Sequence, residues 1–321
     1  MTDNLKEFCQ SLTTTKSICK CFAALINKGE SIPPPKEPLF HYTSISALEG
    51  ILSSRSLRFT NIFTQDKDPY EIKSGMEICY QLLDESIPKS RFKGTRLCIE
   101  KFKKTLQNNI EDSGQYFLFC ASLVKDDPHQ WVHFGDNGKG VCLEFFPQFG
   151  EEIQETKAED NGISSNGVTS VSKVFYSEDC LREKLQSIIR KFITHLELGL
   201  ELSKPDKNKG LEFMKCMSVL LAANCIIDCI NYKPKKFEKE NEVRFLRIIS
   251  AFRTANYLRT KKINGDVKVY LELPLKEDYL KTIWLGPLVD EKWKDCLKAK
   301  LTAIGFKDTG IERSNIFTEI D

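Results

Sequence analysis

Tyr116-Phe117-Leu118-Phe119-Cys120-Ala121-Ser122-Leu123 is the stretch on which the fold turns. A half-exposed strand alternates apolar and polar residues, whereas this run is broken only by Ser122, so it is expected at the centre of a sheet, covered on both faces. Upstream, Pro33-Pro34-Pro35 stops any helix and leads into a first strand at Pro38-Leu39-Phe40-His41-Tyr42-Thr43. Ser44 then fits an N-cap for a short helix carrying Ala47, Leu48, Ile51 and Leu52, and Leu57 and Phe59 alternate with Arg58 and Thr60 in a second strand. Downstream, a short helix or turn with Trp131 precedes Gly135-Asp136-Asn137-Gly138-Lys139-Gly140 and a strand at Val141 to Phe145. Further strands are expected at 171–176, 242–250, 267–273 and 281–285, and one at the C-terminal edge.

Helical periodicity marks the first 30 residues, 71–85, 91–107, 177–202, 210–230 and 291–304, while 151–170, rich in Glu, Ser, Asn and Gly, reads as a loop. Short strands interrupted by helices make an α+β chain, not a regular βαβ alternation. The expected organisation is a helical extension over 1–37, then one sheet-containing domain over 38–321 with helical insertions near 71–110 and 178–230.

With 321 residues, 41% hydrophobic and 29% charged, the chain is long enough to bury a core without disulfides or metals. Its 47 Lys and Arg against 45 Asp and Glu give no field for gripping a long nucleic-acid footprint, although local patches are compatible with it. The 12 cysteines sit in apolar segments such as Val141-Cys142-Leu143, as small hydrophobes of a reduced, cytoplasmic-type chain. No signal-peptide core is legible over Met1 to Cys21, and the longest apolar run, Met217 to Cys229, contains Asn224 and Asp228 and is too short to span a bilayer.

Four histidines allow a quick test of metal and nucleophile schemes. His129 and His133 are four apart, but no HExxH or CxxC accompanies them, so no metal is expected. The glycines of 135–140 are in the wrong order for a dinucleotide fingerprint, and a tight turn is the better reading.

Three segments carry more when taken together: Leu39-Phe40-His41-Tyr42-Thr43 with Ile51-Leu52 and Leu57; Cys120-Ala121-Ser122 with Trp131 and Gly140-Val141-Cys142-Leu143-Glu144-Phe145; and Glu240-Asn241-Glu242-Val243-Arg244. In this order, with the turn Asp66-Lys67-Asp68-Pro69-Tyr70-Glu71, they resemble the bacterial DUF2971 family over roughly residues 38 to 290. Two departures are Lys67, where that family has Asn, and Ala121 in its CFS segment. The layout also resembles the core of mono-ADP-ribosyltransferases, whose split β-sheet holds NAD.

That resemblance implies an NAD-dependent mono-ADP-ribosyltransferase of effector or toxin type, acting in the cytoplasm or translocated into a host cytosol. A protein acceptor is favoured over a nucleic acid, with no membrane partner and no metal. Glu242 would stabilise positive charge on the ribose and accept its 2′-OH, and Glu240, two residues earlier on an extended chain, would orient or deprotonate the acceptor. His41 would contact the ribose or pyrophosphate, Thr43 or Ser122 would pin the sugar, and Tyr42 or Trp131 would stack on a base. Arg244 and Arg247 read as the solvated side of a strand. The alternatives are a non-catalytic binding module or degenerate transferase, and an NAD glycohydrolase, which needs the carboxylate but no acceptor.

Overall fold

A computed structural model describes residues 35–62, 70–86, 93–112, 116–155, 158–160, 163–165, 169–202, 207–248, 258–263 and 266–316. The helices expected over the first 30 residues and the turn at 66–69 lie outside the described residues. In chain order the strands are β1 (Leu39–Thr43), β2 (Ser56–Asn61), β3 (Tyr116–Ser122), β4 (Val141–Phe145), β5 (Ala158–Asp160), β6 (Ile163–Ser165), β7 (Thr169–Lys173), β8 (Glu242–Ile248), β9 (Arg259–Ile263), β10 (Asp266–Pro274), β11 (Leu280–Leu285) and β12 (Gly310–Arg313). The helices are α1 (Ile45–Ser54), α2 (Tyr70–Ser86), α3 (Lys93–Asp112), α4 (Pro128–His133), α5 (Phe149–Glu155), α6 (Glu178–Leu202), α7 (Lys207–Ile230) and α8 (Lys292–Ala303).

The chain divides into two compact units. One is built from described residues within Asp68–Asp112 and Phe175–Lys235, the other from those within Ile32–Lys67, Ser113–Val174 and Lys236–Asp321. The helices read from sequence as insertions therefore pack with one another. α2, α3 and α6 all contact α7, and the backbone of α7 at Cys229 comes so close to Gly75 that a Cβ there would stand 3.0 Å from it.

The second unit holds a ten-stranded sheet in the order β12-β11-β4-β1-β3-β2-β10-β9, with β8 and β7 branching from β3. The apolar run is central, as its pattern requires. β8 pairs with β3 along its whole length, from Tyr116↔Ile248 to Ser122↔Glu242. The opposite edge of β3 is shared: Phe40 of β1 pairs with Ser122, and Thr60 and Asn61 of β2 pair with Leu118 and Phe117. The sheet thus forks where β1 and β2 part from β3, and the fork opens beside Cys120.

Pleat alternation gives each face its own content. Phe117, Phe119 and Ala121 of β3 join Leu39, Leu143, Phe145, Val171, Val243 and Phe245 in the main core. Phe149 enters it from α5, stacked on Phe145 with ring centroids 4.2 Å apart. The other face carries a smaller cluster of Phe40, Tyr42, Trp131 and Cys142.

Two local features stand out against the sequence expectations. The stretch expected as a loop over 151–170 instead contributes most of α5 and the β5–β6 hairpin, and β9, whose Arg-Thr-Lys-Lys-Ile lacks apolar alternation, is an unanticipated strand. The 135–140 loop is the tight turn expected: Asp136, Asn137 and Gly138 all have positive φ, and Gly286 N–H donates to the Gly140 carbonyl at 2.9 Å. A Cβ at Gly140 would strike the Thr43 carbonyl and lie 2.7 Å from that of Gly135, backbone atoms that cannot swing aside. Gly140→Ala is expected to cost about 3 kcal/mol, read as a lowered denaturation midpoint with an unchanged slope.

Candidate functional site

Strands carrying several of the sequence-derived residues meet at the fork, with those residues divided between its two faces. Ser122, Glu242 and Phe40 are cross-strand partners on β3, β8 and β1, and Cys120↔Arg244↔Ser172 forms the next row of the same face. Arg58 and Thr60 of β2 lie on this face too, since Thr60 pairs with Leu118. Arg58 is the β2 residue that would continue the register toward Cys120 had the strands not parted.

Arg244 is 1% exposed and Glu242 7%. Arg244 Nε donates to Glu242 Oε1 at 2.8 Å, and Nη2 to Oε2 at 3.4 Å. The expectation that Arg244 and Arg247 form a solvated strand side is corrected: both are buried, and on opposite faces, Arg244 under the cover of the second face and Arg247 in register with Phe117 on the main-core side. A charge in such a place must be paired, and an arginine fork meeting a carboxylate edge-on is the geometry that does so.

Glu240 is buried, but not by the route the sequence suggested. It closes a 3-10 helix, Lys235–Glu240, and Asn241 follows with φ 42°, so the same-side spacing expected for two extended residues does not apply. The Glu240 carbonyl instead accepts from Ser122 Oγ and from Gln130 Nε2, both at 2.8 Å. Gln130, which sequence reasoning missed, is buried on α4 beside Trp131. Its signal was only the N-cap, Asp127 accepting from Gln130 N–H, which fixes where the helix starts.

Two aromatic expectations are corrected. Trp131 is fully buried, its Nε1–H donating to Asp126 at 2.8 Å, and it meets Tyr42 edge-on at 5.0 Å. Tyr42 is buried as well and donates to the Val124 carbonyl at 2.9 Å. Neither ring is left open to stack on a base, because each is needed to cover the second face. Burial pushes the Tyr42 phenol pKa far up, so it stays protonated.

Alternation turns His41 and Thr43 to the opposite face from Ser122 and Glu242, so the sheet does not bring all these residues to one side. His41 is half-buried, with its ring 4.6 Å from that of Phe119. It reaches into the fork, where its Nδ1–H donates to the Cys120 carbonyl at 2.8 Å. That bond fixes the tautomer: in the neutral ring Nε2 is a bare acceptor. Desolvation lowers the His41 pKa below its ordinary 6.5, outweighing the opposing pull of the Cys120 carbonyl.

A group that resists protonation on folding costs stability once the unfolded chain takes up the proton. The contribution of His41 is therefore complete above pH 6.5 and is lost as pH falls below it. His41→Gln should flatten the decline in stability between pH 7 and pH 5, measured by denaturant titration at each pH.

Among the described residues no group of three or more His, Cys, Asp or Glu could hold a metal ion, and no helix is long and apolar enough to cross a membrane. No curated protein and no solved structure matches the chain. Residues 130–245 match the model of a family described as a protein of unknown function, DUF2971, a stretch running from Gln130 on α4 to Phe245 on β8 and taking in Trp131, Glu144, Glu240, Glu242 and Arg244.

Proposed function

We propose that the chain is an NAD-dependent mono-ADP-ribosyltransferase whose donor site is the fork of the sheet. The observation that carries the reading is the order β1-β3-β8: the strands holding His41, Ser122 and Glu242 are neighbours, and a break in pairing lies beside them. A split sheet with a histidine, a hydroxyl and a carboxylate on three adjacent strands is what the transferase resemblance implies.

The chemistry suits these groups. Arg244 holds the Glu242 carboxylate in place through both of its oxygens, and in this reading that carboxylate also accepts from the ribose 2′-OH. As the C1′–N bond of NAD breaks, its electron pair leaves with nicotinamide, and the charge growing on the ribose is stabilised by Glu242. The acceptor nucleophile then bonds to C1′, and its proton passes to bulk water. His41, neutral with Nε2 as acceptor, suits a ribose hydroxyl better than a phosphate. Arg58, across the fork from Cys120, has its Nε 3.8 Å from Glu272 Oε1, and in this reading its remaining guanidinium donors meet the diphosphate.

One observation favours the binding-module reading instead: Tyr42, Trp131 and Ser122 are all engaged in holding the fold. Nicotinamide release from NAD, followed with and without cell extract as acceptor source, separates the readings. The transferase releases nicotinamide faster with extract present, a glycohydrolase at the same rate with or without it, and a binding module not at all.

A further inference from the structure

Three thiols of the helical unit meet at one place. Cys79 on α2 and Cys225 and Cys229 on α7 are all fully buried, the last two one helical turn apart on the same side of α7. The contact is built by Gly75, one turn before Cys79. A side chain there would press on the backbone and Cβ of Cys229, so the missing Cβ lets α2 and α7 come together backbone to backbone. The step from Gly75 to Cys79 along α2 is matched by the step back from Cys229 to Cys225 along α7. Cys79 thus reaches both thiols, and each donates a hydrogen bond to its sulfur.

A buried cysteine commonly serves as a small packing group and is inert. Cys98 and Cys142 fit that use, the first meeting the Ser218 hydroxyl at 3.1 Å and the second the hydroxyl of Tyr42. At Cys79 the partners are sulfurs. Their two S–H donors hold the Cys79 thiol well below its ordinary pKa against the opposing effect of burial, while Cys225 and Cys229 are pushed up by their bonds to Cys79 and by burial. The neighbouring Tyr80 and Asp228 are themselves pushed toward their neutral forms by burial, and Lys184 acts on Asp228. Of the three thiols, Cys79 is therefore the nucleophile, and the two on α7 are its protonated partners.

We propose that Cys79 is a peroxide-sensitive thiol that closes a disulfide with Cys225 and so locks α2 to α7. The oxidant is hydrogen peroxide, which is little larger than water and suits a buried site. The Cys79 thiolate takes one peroxide oxygen as the O–O bond breaks, giving a sulfenic acid and a hydroxide that collects the proton Cys79 had shed. The Cys225 sulfur then bonds to that of Cys79, and its proton leaves with the sulfenic hydroxyl as water. In sum, two thiols are oxidised and one peroxide is reduced to water. Cys225 is the partner because it lies level with Cys79, as Cys229 lies level with Gly75. The loop so closed is long, running from α2 to near the end of α7, which is the case where a cross-link constrains the unfolded chain most.

The test uses the full chain, reduced and then treated with hydrogen peroxide. Remaining thiols are blocked with N-ethylmaleimide in denaturant before digestion and mass spectrometry without reductant. The expected product is a linked pair of peptides joined through Cys79 and Cys225, with a melting transition roughly 10 °C above that of the reduced form. Dithiothreitol should reverse both. Cys229→Ala, which keeps both bridging sulfurs, should still form the link, whereas in Cys79→Ala peroxide should leave the melting transition where it was. Thiols at 79 and 225 that remain open to N-ethylmaleimide, a bridge from either to another cysteine, or oxidation confined to the exposed Cys296 would overturn the proposal. A link formed without a rise in melting temperature would overturn the lock. No NAD is present, so the outcome is independent of the transfer proposed above.

Discussion

Arg244→Met is expected to lower the unfolding free energy of the sheet unit by about 3–5 kcal/mol, the largest stability effect foreseen for a single residue here. The size follows from what stays behind. Glu242, 7% exposed, would keep its charge in a site from which water is excluded and would lose both hydrogen bonds from the guanidinium. For a unit of this size the melting temperature should fall by roughly 10 °C. The control is the double replacement of Arg244 by Met and Glu242 by Leu, which removes both charges and should recover most of the loss, since apolar residues of similar volume replace buried ion pairs at small cost. If the single variant melts like the wild type, the pair is more solvated than its burial indicates.

Glu242→Gln carries the largest effect on activity. Gln keeps an acceptor oxygen for Arg244 and for a ribose hydroxyl but not the negative charge that favours the developing cation. Turnover of NAD should drop by roughly a hundredfold, about 3 kcal/mol, with the Michaelis constant little changed. Because the substitution also weakens a buried ion pair, rates are to be normalised to folded protein below the onset of melting. A loss in kcat without loss of NAD affinity separates a catalytic carboxylate from one that only neutralises Arg244.

The sheet was legible in the sequence wherever burial is uniform. The 116–123 run could belong only to a strand covered on both faces, and it is the strand from which the fork opens. The cap at Ser44 was legible too, with Ala47 N–H donating to its hydroxyl at 3.2 Å. What the sequence could not convey is the second covering layer. Alternation of Val243 and Phe245 with Glu242 and Arg244 has the same pattern whether the charged side meets water or a small second core. The deciding residues, Phe40, Tyr42, Trp131 and Gln130, come from distant segments whose placement depends on the fork itself. The same ignorance misjudged Trp131, which looks equally suited to stacking on a ligand and to filling the core. Glu240 failed for a local reason: a left-handed Asn241 breaks the extended run that two-residue spacing assumes. The strand β9 was invisible because a basic edge strand lacks the apolar alternation by which strands are recognised.

The central claim, that the fork holds NAD for transfer of ADP-ribose, is tested most directly with two samples of NAD, one labelled in the adenylate phosphate and one in the nicotinamide ring. Each is incubated with the folded protein and cell extract. The account predicts that adenylate label becomes macromolecule-bound while nicotinamide label appears only as free nicotinamide, and that Glu242→Gln suppresses both by the same factor. Adenylate label that stays entirely in small molecules, or nicotinamide label that is never released, would contradict it.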